Sequence, residues 1–156
     1  MSNIPDHWEI RRLAGALGAE VHGPDISNVS LEDIEALKSI LLDHMVIFLP
    51  DQSPTVEAHI SFGKHFGELE GHPNLSSDTS FPPEIFQLEA SKGGVADEWH
   101  TDLTFQEQPA LMSILHMVQC PDTGGDTLWT SLYAAYDELS DPMKSMCDGL
   151  TALHDA

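Results

Sequence analysis

The stretch Trp99-His100-Thr101-Asp102 sets an imidazole and a carboxylate two positions apart. On an extended strand, residues i and i+2 point to the same side, so these two side chains are predicted to converge on one ion. One histidine and one carboxylate are two of the three protein ligands in the 2-His-1-carboxylate triad. That triad leaves positions open on Fe(II) for oxygen and a chelating cosubstrate. The tripeptide by itself is a weak signal, since His-x-Asp also suits hydrogen-bonded turn residues. Other histidines of the nine in the chain, namely His7, His22, His44, His59 and His65, have no partner at ligand spacing. They read as surface or satisfied core groups.

The elements that must hold this pair begin with two short segments, residues 8–13 and 19–22, separated by Gly15 and Gly18 as in paired strands with a turn. Ser30 followed by Asp33 resembles a capping box, and Leu31, Ile34, Leu37 and Leu41 recur at helical spacing, which predicts a helix over residues 31–43. Residues 45–49 form an apolar run stopped by Pro50 and read as a buried strand. Val56, Ile60, Gly63 and Phe66 place a second stripe on a helix from near Pro54 to Gly67. Residues 71–83 are rich in Pro, Ser, Asn and Asp and read as a long connection with the length of a lid. Strands are expected at 85–89, 111–118 and 127–130, with a turn at 121–126. A helix carrying Leu132, Tyr136 and Leu139 and a last helix over 142–149 follow. The fold class is a mixed, β-rich α+β arrangement in one domain, without internal repeats.

Composition limits the partners. The chain has 156 residues and 41% hydrophobic content, enough for one modest domain. Its 6 Lys+Arg against 26 Asp+Glu give a formal net charge of -20, which repels phosphate backbones and anionic membrane surfaces. No nucleic acid and no membrane partner is therefore expected. Small anions are disfavoured too, unless a bound metal or further chain supplies positive charge. Cys120 and Cys147 form no disulfide framework, and the polar start of the chain is unlike a signal peptide, so a cytoplasmic location is expected. The apolar run at 45–49 is far too short to span a bilayer.

Three segments in order, Trp99-His100-Thr101-Asp102-Leu103-Thr104-Phe105, Gly124-Gly125-Asp126-Thr127-Leu128-Trp129 and Ala134-Ala135-Tyr136, resemble the central block of the taurine dioxygenase (TauD/TfdA) family. The likeness runs upstream through Val46-Ile47-Phe48-Leu49, Phe66-Gly67-Glu68-Leu69 and His72-Pro73, and downstream to Leu153-His154-Asp155. It implies an Fe(II)- and 2-oxoglutarate-dependent dioxygenase that uses O2 to hydroxylate a small organic acid. The implied fold is a double-stranded β-helix, or jelly roll, with flanking helices, only part of which this chain would form. It further implies His100 and Asp102 as iron ligands, Thr127 as hydrogen-bond donor to a 2-oxoglutarate carboxylate, and His72 as a substrate-facing residue.

Two departures bear on the substrate: Leu75 stands where taurine-cleaving members carry a tyrosine, and Ala96 where they carry an asparagine. Sulfonates other than taurine, sulfate esters and aryloxy acids are all compatible. The family's distal histidine ligand and its carboxylate-clamping arginine fall beyond residue 156. Residues 1–156 are therefore expected to be the N-terminal part of one dioxygenase domain. His154 aligns with a family histidine that is not a ligand. Against the enzyme stands a non-catalytic reading, a partial domain that pairs with another chain or forms a homo-oligomer and has no turnover of its own.

Overall fold

The computed structural model describes residues 4–71, 81–89 and 98–155. Strands β1 (Glu9–Arg12) and β2 (Ala19–His22) pair antiparallel, with Ile10 opposite Val21. Helix α1 (Leu31–His44) then crosses over to β3 (Ile47–Phe48), which pairs parallel to β2 through Ala19↔Ile47 and Glu20↔Phe48. The result is a three-stranded sheet in the order β1-β2-β3. A parallel pair needs such a crossover, and here α1 supplies it.

Helix α1 starts where the sequence places a cap. The Ser30 hydroxyl accepts from the Asp33 N–H at 3.1 Å, and the Asp33 carboxylate accepts from the Ser30 N–H at 2.9 Å. Its apolar stripe buries Ile34, Leu37 and Ile40 against Val21, whose neighbours on β2 alternate between buried and half-buried. Helix α2 (Val56–Lys64), capped by Thr55, adds Phe62, which packs edge-on against Phe66 at 5.2 Å. Trp8 and Ile26 complete this core, and Ile114 reaches it from the second half of the chain. Helices α3 (Leu132–Asp137) and α4 (Asp141–Cys147) contribute no buried residue.

The expected helices form within a few residues of their predicted limits, but three expected strands do not. Among the described residues, no strand follows Phe48, so 85–89, 111–118 and 127–130 take no sheet pairing. Apolar β-forming sequence becomes a strand only when a neighbour takes its N–H and C=O groups. No helix is long and apolar enough to cross a membrane among the described residues.

Candidate metal-binding pocket

His100 lies in irregular backbone and Asp102 opens a turn, so neither is on a strand, and Leu103 within that turn has a left-handed φ of 54°. The pair still converges, with His100 Nε2 3.3 Å from Asp102 Oδ1. Both side chains are 55% exposed. His100 Nδ1 stands 2.8 Å from the Glu98 carbonyl oxygen. A carbonyl only accepts, so Nδ1 donates to it, and Nε2 faces the carboxylate either as the lone pair of a neutral ring or as the second N–H of an imidazolium. Two lone-pair atoms at this distance repel unless a cation, a proton or a metal ion, lies between them.

This donor set fits a divalent metal in kind. Adjacent ligand atoms about 2.1 Å from one octahedral ion stand about 3 Å apart, close to the observed separation. The histidine donating its second N–H to a carbonyl is the usual orientation of a metal-bound imidazole. Asp102 is oriented as well, since the Ser113 hydroxyl donates to Oδ2 at 2.6 Å. Among the described residues, no group of three or more His, Cys, Asp or Glu side chains gathers as a metal site, so these two are the donors in hand.

A pocket of about 480 Å³ opens beside His100; Asp102 is not among the residues that line it. Trp99, Leu128, Trp129 and Leu132 supply apolar walls, and His100, Thr104 and His154 supply polar ones. Trp129 is fixed by Phe48 of β3, ring edge to face at 5.3 Å. His154 reaches Thr104 through Nδ1 and Oγ1 at 2.7 Å, which brings the end of the described chain against the His100 turn. His154 thus lines the pocket, although sequence reasoning set it aside as a ligand.

The other candidates are placed differently. Thr127 is exposed and is not among the residues lining this pocket; its neighbours Leu128, Trp129 and Thr130 are. Gly124 and Gly125 lead into those neighbours at φ 79° and 75°, a left-handed backbone that glycine adopts without strain. His72, Leu75 and Ala96 lie outside the described residues. Sequence reasoning missed Ser113 and the aromatic walls. A serine eleven positions from its carboxylate leaves no local pattern to find, whereas Trp99 and Trp129 sit inside the motif blocks.

A family model described as taurine catabolism dioxygenase TauD, TfdA family matches residues 9–156. An alpha-ketoglutarate-dependent sulfate ester dioxygenase of Pseudomonas putida is 35% identical over 94% of this chain and 49% of its own. An alkylsulfatase of Acinetobacter baylyi is 32% identical over 99% of this chain and 49% of its own. The crystal structure of a taurine dioxygenase from Burkholderia xenovorans superposes with a TM-score of 0.77 at 34% identity, covering 91% of this chain and 51% of that one. The chain spans about half the length of the curated relatives it matches.

Proposed function

Because the chain belongs to the taurine catabolism dioxygenase TauD, TfdA family, we propose that it carries two iron ligands, His100 and Asp102, of an Fe(II)- and 2-oxoglutarate-dependent dioxygenase. The observation that carries this reading is the convergence of His100 Nε2 and an Asp102 carboxylate oxygen at 3.3 Å, each side chain oriented by its own second partner. When bound with 2-oxoglutarate and O2, the iron supplies oxidative decarboxylation of the cosubstrate coupled to hydroxylation of a substrate carbon. The protein's part is to hold the donors, shape the cavity and keep water out.

The substrate is a small organic acid of the sulfonate, sulfate ester or aryloxy type, in keeping with the named activities of the relatives. The apolar walls of Trp99, Leu128, Trp129 and Leu132 suit the carbon body of such a molecule, and the metal offsets its charge in an acidic protein. Thr127 serves a 2-oxoglutarate carboxylate and His72 the substrate head group, on the family pattern. A jelly-roll domain, of which residues 1–156 are the N-terminal part, houses this chemistry. The two free cysteines suit a cytoplasmic setting.

The test is an anaerobic titration of the purified chain with Fe(II), in wild type and in His100→Ala and Asp102→Ala, followed by 2-oxoglutarate. Each substitution is expected to weaken Fe(II) binding at least tenfold, since loss of a charged or coordinating partner costs about 1.5–3 kcal/mol. Equal affinity in all three proteins would remove His100 and Asp102 as ligands.

A further inference from the structure

We propose that Ser113 is a positioning residue for Asp102, holding the carboxylate so that Oδ1 faces His100 Nε2. The proposal rests on the metal-site reading above and adds a residue to it. An aspartate χ2 is a broad, nearly two-fold torsion, so a half-exposed carboxylate such as Asp102 has little intrinsic preference for which oxygen it presents. The Ser113 hydroxyl removes that freedom by donating to Oδ2 at 2.6 Å, a short hydrogen bond to a charged acceptor. Oδ1 is then the atom that meets His100.

Ser113 can do this because its backbone is anchored to the only packed core among the described residues. The next residue, Ile114, packs its side chain against the core cluster, and its Cδ1 lies 3.9 Å from where a Cβ on Gly63 of α2 would stand. A second tie comes from the same helix, for His59 Nε2 lies 3.2 Å from the Ile114 carbonyl oxygen and donates to it. Ile114 thus faces the core while Ser113 faces the carboxylate. The turn that carries Asp102 lies in the largely exposed second half of the chain, and Ser113 gives it a fixed point of reference in the first.

The hydroxyl and its tether are separable from general stability. In the metal-free chain, Ser113→Ala is expected to move the Asp102 side-chain carboxylate 13C resonance. With Co(II) as the probe metal, the same variant is expected to bind on the order of 10–100-fold more weakly, the usual effect of removing a partner of a ligand. Ser113→Thr keeps the hydroxyl and should retain both wild-type values. Ile40→Val, buried in α1 away from the pocket, should lower the thermal midpoint and leave both readouts unchanged. An Asp102 resonance that stays in place in Ser113→Ala would overturn the proposal. So would equal losses of Co(II) affinity in Ser113→Ala and Ile40→Val, or a Ser113→Thr variant as impaired as the alanine. If wild type binds no Co(II) while the resonance still moves in Ser113→Ala, the metal-site reading fails and the orientation of Asp102 by Ser113 stands.

Discussion

His59 carries a titratable ring into the contact between α2 and Ile114. Burial holds its pKa below the ordinary 6.5, the nearby His116 pushes the same way, and the bond to the Ile114 carbonyl opposes them. The neutral ring is therefore favoured by folding. Its contribution to stability is fully present above the ordinary value and is lost as pH falls through that value toward the depressed one. Between about pH 8 and about pH 5, the thermal midpoint of the wild type is expected to fall more than that of His59→Gln, which keeps an amide donor for Ile114 but does not titrate. Parallel midpoint curves for the two proteins would show that His59 does not couple pH to this contact. The same residue marks the edge of what sequence reveals at this scale. His100 and Asp102 stand out through a two-residue spacing set within a family motif, whereas the value of His59 and Ser113 depends on segments that meet only after the chain has folded.

Among elements, α1 bears most of the packing, and its stability divides between cap and core. Leu37 is fully buried, as are Ile34 and Ile40 to within 2%. Leu37→Ala is expected to cost about 2–5 kcal/mol, against about 1 kcal/mol for Ser30→Ala, which removes the cap but leaves the stripe intact. Urea unfolding followed by circular dichroism distinguishes them; a Ser30→Ala effect as large as that of Leu37→Ala would mean that the cap, not packing, governs the helix. Helices of this kind were legible because caps and 3.6-residue periodicity are local properties, and α1 begins at the Leu31 that the spacing predicts. Strands are not local. Val21 and its neighbours find β1 and β3 and form β2 as expected, but Ile114 and Leu128 lie in segments of similar apolar character that find no strand partner among the described residues. The pleat can be read from sequence, but the pairing partner cannot. The candidate site follows the same division, with His100 and Asp102 legible in the motif and the packing of Trp129 on Phe48 visible only in the fold.

At the scale of the molecule, packing and exposure are unevenly divided. Every fully buried apolar residue among the described ones lies between Trp8 and Phe62, while the second half leaves Leu111 83%, Val118 80% and Leu153 98% exposed. Burying one Val or Leu side chain is worth about 1.5–3 kcal/mol, so several left exposed favour association with another apolar surface, a second copy included. The net charge of -20 works against that, because two such chains repel over distances longer than any apolar contact. Salt decides which effect wins. The Debye length shrinks from about 10 Å at 0.1 M to about 3 Å at 1 M, which screens repulsion between exposed charges and leaves the apolar term in place. The purified chain is therefore expected to shift toward dimers and larger species as sodium chloride rises, read by light scattering or sedimentation at fixed protein concentration. The double variant Leu111→Gln, Val118→Gln leaves charge unchanged and should suppress that shift while keeping the helical circular dichroism of α1. A mass independent of salt in both proteins would show that these side chains do not drive association. A mass that falls with salt would show instead that charge holds copies together.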